Sequence, residues 1–144
     1  MKALNNKLMY KLLPDSEQPK RTILNPDGDN LKKAKVVSVG SKVEHIKAND
    51  IVTLYTHDVR IAEDNIGYCT DTNPIFINDK PQPNKTHIQT KKTNKVSRFN
   101  KATVLSSTDK ELKEGDEIGY VKGSGLILPD NTEIISDTQI FYKE

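Results

Sequence analysis

Ala34-Lys35-Val36-Val37-Ser38 and Ala102-Thr103-Val104-Leu105-Ser106 are two versions of one short segment, and their likeness decides how the chain is read. Both are rich in β-branched residues, which fit a pleated, half-buried surface. Working outward, the likeness continues in order. Ile46-Lys47-Ala48-Asn49-Asp50-Ile51 answers to Leu112-Lys113-Glu114-Gly115-Asp116-Glu117, and Tyr55 then falls opposite Val121. Asp64-Asn65 answers to Asp130-Asn131, and Asp71-Thr72-Asn73 to Asp137-Thr138-Gln139, ahead of Ile75-Phe76 and Ile140-Phe141. Upstream, Asn6-Lys7-Leu8-Met9-Tyr10 is similar to Asn84-Lys85-Thr86-His87-Ile88. Ordered agreement over several segments argues for tandem copies of one small unit, residues 1–79 and 80–144. The competing account is a single sandwich whose strands share turn chemistry, because turns draw on few residue types.

The expected elements are strands throughout. Lys7–Leu13 is a short apolar run that Pro14 keeps from continuing as a helix. Ala34–Val39 ends at Gly40, and Asp50–Tyr55 is a second clear strand. Val59–Ile61 and Ile66–Cys69 flank Glu63-Asp64-Asn65, a tight hairpin turn, and Ile75–Ile77 closes the first set. Thr86–Thr90 is a thin strand inside a basic, polar stretch, after which Lys101–Ser107, Gly115–Val121, Gly125–Leu128 and Gln139–Tyr142 follow. No segment from Lys33 to Asn78 sustains a three-four apolar spacing, so the first unit is expected to be all-β.

The chain has 144 residues, 34% apolar and 29% charged, which is polar for a globular protein and suits thin units that bury surface against partners. Lys and Arg number 22 against 20 Asp and Glu, and a net charge of +2 gives no general pull toward nucleic acid or acidic membranes. Cys69 is the single cysteine, which excludes an internal disulfide and a thiolate zinc cluster and agrees with a cytoplasmic setting. The start, MKALNNKLMYKLL, is too short and too interrupted by Lys7 and Lys11 for a signal peptide, and no apolar run approaches the roughly 18 residues of a membrane span. A soluble chain without a membrane partner is expected.

What separates the two copies is an arm. Leu13–Lys33, LPDSEQPKRTILNPDGDNLKK, is polar and proline-punctuated, with one aliphatic pair, Ile23-Leu24, at its middle. Pro19, Pro26 and the turn signal Asn25-Pro26-Asp27-Gly28 discourage regular structure. About twenty residues separate the first strand from Ala34 here, whereas the second copy has roughly ten at the matching place and no aliphatic pair in a Pro/Gly-flanked loop.

Taken as two copies, nearly the whole chain resembles the GroES-type co-chaperonins, small irregular β-barrels that assemble into a ring and cap a chaperonin. The residues that carry the resemblance are Lys7–Leu12, the arm with Ile23-Leu24, Val36–Gly40 and Asn49-Asp50-Ile51-Val52 in the first copy. In the second they are Lys113–Ile118, the Gly123-Ser124-Gly125 turn, Asp130-Asn131 and a closing strand over Ser136–Ile140. The resemblance implies an all-β fold of two tandem small irregular GroES-like β-barrel units, with residues 14–33 as a mobile loop of the first. It implies a non-catalytic co-chaperonin with a GroEL-type chaperonin ring as partner, self-association into a homo-oligomeric ring, and no cofactor. Thr22, Ile23 and Leu24 are the implied partner-binding residues. Lys20-Arg21-Thr22 stands where the family has paired glycines. Only Ser41–His45 fills the place of the roof hairpin, a trimming similar to that of viral co-chaperonins. The alternative of another class is a structural or adaptor β-barrel assembly protein of viral type, without a chaperonin partner.

Other chemistry is weaker. His45, His57 and His87 lie far apart without the spacing of a helical metal pair. Cys69 has no local partner for nucleophilic work and is expected to be a half-buried thiol. Gly123-Ser124-Gly125 lacks the third glycine and following helix of a dinucleotide loop and is expected to be a hairpin turn. Lys91, Lys92, Lys95, Arg98 and Lys101, with Phe99, form the best nucleic-acid candidate, but lysines guarding a strand edge are the favoured account.

Overall fold

The computed structural model describes residues 2–19, 30–91 and 99–144. These residues form strands, turns and single 3-10 turns, and the fold is all-β with antiparallel ladders. The chain divides into two compact units, Met1–Asp79 and Lys80–Glu144.

The first unit is built from β1 (Lys7–Leu12), β2 (Leu31–Val39), β3 (Ile51–Tyr55), β4 (Ile61–Glu63), β5 (Ile66–Thr70) and β6 (Phe76–Ile77). The second opens with β7 (Lys80–Pro81) and continues with β8 (Lys85–Lys91), β9 (Phe99–Ser107), β10 (Glu117–Val121), β11 (Leu126–Ile127), β12 (Glu133–Ser136) and β13 (Ile140–Lys143). The six strands of the first unit lie in the lateral order β4-β5-β1-β2-β3-β6, and β8 to β13 of the second in the order β11-β12-β8-β9-β10-β13. Taken in chain order, each of β1 to β6 has a counterpart among β8 to β13 at the same lateral position. Among the described residues no ladder joins β4 back to β6, or β11 back to β13.

The equivalence extends to single hydrogen bonds. The β1–β2 ladder pairs Met9 with Ser38 and then Tyr10 with Val36, so Val37 bulges; β8–β9 pairs His87 with Ser106 and then Ile88 with Val104, so Leu105 bulges. A bulge adds one residue to one strand and bends it. At the bend, Val36 N donates to Asp50 O at 2.9 Å and Asn49 N to Val36 O at 2.8 Å, matched by Val104 N to Asp116 O and Gly115 N to Val104 O, both at 2.8 Å. Asn49 and Gly115 both hold positive φ, 77° and 91°, in the turns before β3 and β10. Asp50 Oδ2 accepts from Lys47 N at 3.0 Å, and Asp116 Oδ2 from Lys113 N at 2.9 Å. Such matched turns follow from the residues themselves, since Asn, Asp and Gly tolerate left-handed backbone and cap their own turns.

Each unit has its own core. In the first, Leu8 and Tyr10 of β1 meet Ala34, Val36, Val52, Leu54, Cys69 and Ile46. In the second, Ile88 meets Ala102, Val104, Ile118, Tyr120 and Ile135.

Several boundaries differ from those expected. β2 begins at Leu31, so Leu31–Lys33 belong to a strand, not to the arm. The added residues pair with β3, Leu31 opposite Tyr55 and Lys33 opposite Thr53, which outweighs their charge. The thin strand at Thr86–Thr90 is seven residues long and central to its sheet, flanked by β12 and β9. Glu133–Ser136 is a strand of its own, and Asp137–Gln139 is a 3-10 turn, so Ser136–Ile140 is not one closing strand. Phe76 shares its place with Tyr142, not Phe141: Thr53 pairs with Phe76 and Gly119 with Tyr142, and a register shift between Gly119 and Tyr120 absorbs the difference.

Candidate partner-binding arm and its root

Thr22, Ile23 and Leu24 lie outside the described residues. What the structure describes is the root from which the intervening chain leaves and to which it returns. The β1–β2 ladder ends with Leu12 opposite Ala34, and one more backbone bond follows, Leu13 N to Lys33 O at 3.0 Å. Pro14 then turns the chain into a single 3-10 turn over Asp15–Glu17, closed by Glu17 N donating to Pro14 O at 2.8 Å.

Gln18 follows, and it is the residue that sequence reasoning missed. Its side chain is 9% exposed, and its carboxamide spans both limbs of the root. Nε2 donates to Leu13 O at 2.8 Å and to Lys33 O at 2.9 Å, while Lys33 N donates to Oε1 at 2.7 Å. A carboxamide offers two donors and one two-lone-pair acceptor, so both donors and one acceptor position are used. A buried amide left unpaired would cost about 1–3 kcal/mol, and this one is thoroughly paired. The returning limb is also tied outward, through a Lys33 Nζ–Asp79 Oδ1 ion pair of 2.9 Å. At the surface such a pair contributes little, ~0–1 kcal/mol.

Among its described residues the second unit has no counterpart of this device. There β8 and β9 stay in register to Lys91 opposite Lys101, and only positions 92–98 connect them, against 13–30 between β1 and β2.

The remaining candidates scatter. Cys69 is 6% exposed, faces the first core, and burial pushes its thiol up to about 12, so it is a neutral packing group near pH 7. His57 stacks on Tyr55 with ring centroids 5.0 Å apart and lies 3.8 Å from Asp58. His87 Nε2 meets Thr132 Oγ1 at 2.7 Å, and burial lowers its pKa against the opposing pull of Asp130. Among the described residues no group of three or more His, Cys, Asp or Glu is placed to hold a metal ion. The Gly123-Ser124-Gly125 segment turns β10 into β11, with Gly123 at φ 78° and Ser124 Oγ donating to Val121 O at 2.6 Å.

Of the basic run, Lys92, Lys95 and Arg98 lie outside the described residues. Its flanks carry acidic partners: Lys91 Nζ contacts Glu117 Oε2 at 2.5 Å, and Lys101 Nζ contacts Glu144 Oε1 at 3.0 Å. Among the described residues, a depression of about 240 Å3 in the second unit is lined by Asp109, Glu111 and Phe141, and one of about 230 Å3 in the first by Lys7, Arg60 and Cys69. No described helix is long and apolar enough to cross a membrane.

No protein-family model matches the chain, and neither curated proteins nor solved structures give a significant match.

Proposed function

We propose that this protein is a co-chaperonin-like ring component that caps a GroEL-type chaperonin through the arm between β1 and β2, without catalysis of its own. The observation that carries the reading is the unequal insertion. Two units of the same strand order differ most in that one connection, 18 residues long at positions 13–30 and seven long at 92–98. Because the unit forms with the short connection, the longer one is better explained by a partner than by folding.

Thr22 flanks and Ile23 and Leu24 anchor. Docked in a groove, each aliphatic side chain contributes roughly 1.5–3 kcal/mol by leaving water. Ordering the backbone costs about 1–2 kcal/mol per residue, so one arm binds weakly. Arms carried on a closed homo-oligomeric ring, built from barrel-like units, act together and convert weak contacts into a firm but releasable cap. The chaperonin supplies any nucleotide hydrolysis.

The test is Leu24→Asp in the full chain. Association with a GroEL-type chaperonin in the presence of nucleotide should fall at least tenfold, and unchanged capture would sink the assignment of the arm.

A second reading, an assembly or adaptor protein without a chaperonin, is favoured by one observation. The outer strands of the second sheet expose large apolar side chains, Leu126 and Ile127 on β11 and Phe141 and Tyr142 on β13. Oligomers in native mass measurement together with no chaperonin association would select it.

A further inference from the structure

We infer that Gln18 is a positioning residue that moves the outgoing root of the arm from Leu13, at the end of the β1–β2 ladder, to Pro19, while the returning limb is held up to Leu31 by pairing with β3. The inference rests on the chaperonin reading for its consequence in binding, but its structural part stands without it. Beyond the Leu12–Ala34 pair, β1 ends, while β2 continues toward Leu31 with β3 on its other side. From that point the flank of β2 that faced β1 has lost its neighbour strand. Backbone N–H and C=O groups left in that state must find other partners. Gln18 supplies them, giving Lys33 N its acceptor and Leu13 O and Lys33 O a shared donor group. Its carboxamide thereby acts as one more rung of the ladder, made by a side chain.

The consequence is directional. Without this rung, residues 14–18 would not be held to the sheet and the arm would leave from Leu13. With it, the 3-10 turn over Asp15–Glu17 is held against the sheet, and the arm leaves from Pro19. Shortening alone changes loop-closure entropy little, since that term grows only as the logarithm of length. What the rung fixes is where the outgoing limb emerges beside the returning one, which sets whether several arms on one ring reach their grooves together.

Gln18→Met keeps length and bulk but removes every hydrogen bond, and Gln18→Glu keeps an oxygen for Lys33 N while losing both donors. Amide hydrogen exchange in the full chain reads the rung directly. At Lys33, Glu17 and Gln18 it should quicken at least tenfold in Gln18→Met, with the Leu54 and Val52 amides unchanged; unaltered exchange at Lys33 overturns the inference. Gln18→Glu should quicken Glu17 and Gln18 as well, and serves should Gln18→Met fail to fold.

Chaperonin association in the presence of nucleotide reads the consequence. It should weaken several-fold in a variant whose thermal midpoint is unchanged, although Thr22, Ile23 and Leu24 are intact. Quickened exchange with association equal to wild type overturns the positioning role. If the wild-type chain itself does not associate, the chaperonin reading falls, and exchange at Lys33 still decides whether Gln18 holds the root.

Discussion

In the first unit the large buried ring is Tyr10 on β1, with Leu54 at the facing place on β3; in the second it is Tyr120 on β10, with Ile88 holding the β8 position. The two cores thus carry the same pair of sizes in exchanged places. Each hydroxyl finds a partner in its own surroundings. Arg60 N donates to Tyr10 Oη at 3.2 Å, and Tyr120 Oη lies 2.6 Å from Thr90 Oγ1, which in turn donates to Glu133 Oε1 at 3.2 Å. The neighbours are adjusted accordingly. A Cβ on Gly67 would stand 2.2 Å from Cε2 of Tyr10, and the matching residue of β12 is Glu133. Interiors are packed to crystal-like density, so a ring can change places only if its neighbours change with it. Backbone topology and turn chemistry are common to the units, and the cores are separately fitted.

The sharpest way to break this comparison is Gly67→Ala. The new methyl overlaps the Tyr10 ring, and overpacking costs about 1–3 kcal/mol, at the high end here because the ring is fully buried. In a Tyr10→Ile background, which gives β1 the residue of β8, the same change should cost under ~1 kcal/mol. Denaturant unfolding of the double-mutant cycle measures the difference, and additive costs would show that Gly67 is not fitted to Tyr10.

A smaller effect separates the two matched aspartates. Asp50 is 7% exposed and its Oδ1 also accepts from Asn78 Nδ2 at 3.1 Å, whereas Asp116 is partly exposed and lies 3.7 Å from Lys143 Nζ. Asp50→Ala should cost about 2 kcal/mol and Asp116→Ala nearer 1 kcal/mol. Equal losses would mean that the turn bond alone, common to both, carries the stability.

The smallest expected effect concerns pH. Burial holds the folded-state pKa of His87 below its ordinary value near 6.5, so the unfolded chain takes up the proton first. Stability contributed by neutral His87 is therefore full above about pH 6.5 and declines as pH falls toward the lowered folded value. The first unit has Met9 at the matching place. His87→Met should flatten this part of the stability profile, and an unchanged slope between about pH 6.5 and 5 would assign it to other groups.

Much of this architecture was legible because turns are written in residues with backbone consequences. Asp64 and Asn65 hold φ of 51° and 62°, the left-handed pair that a two-residue hairpin demands, and Asn131 repeats the signal at 66°. The strands between such turns could be placed to within a few residues. Thr86–Thr90, which read as a thin strand, is polar by composition, and Glu133–Ser136 did not read as a strand at all, but Thr86 is buried with its Oγ1 donating to Asp137 Oδ1 at 2.6 Å. A buried threonine with a partner behaves as core, and no local pattern announces the partner. Gln18 is the extreme case. Everything it binds is backbone from positions fixed by the sheet, so its role becomes visible only once β1 and β2 are in place.

The exchanged tyrosines also bear on how a chain with two units of matching strand order avoids assembling itself wrongly. The β1–β2 and β8–β9 ladders share register and bulge, so β1 against β9, or β8 against β2, would satisfy the backbone equally well. Units of matching topology within one chain are prone to this kind of crossed pairing during folding. A crossed pair here would assemble one core with both Tyr10 and Tyr120 and another with Ile88 and Leu54, overfilled in one case and hollow in the other. Both penalties fall on the mismatched partners and neither on the native ones. The ring and its Gly67 recess therefore work as a lock that tells each half which strand is its own.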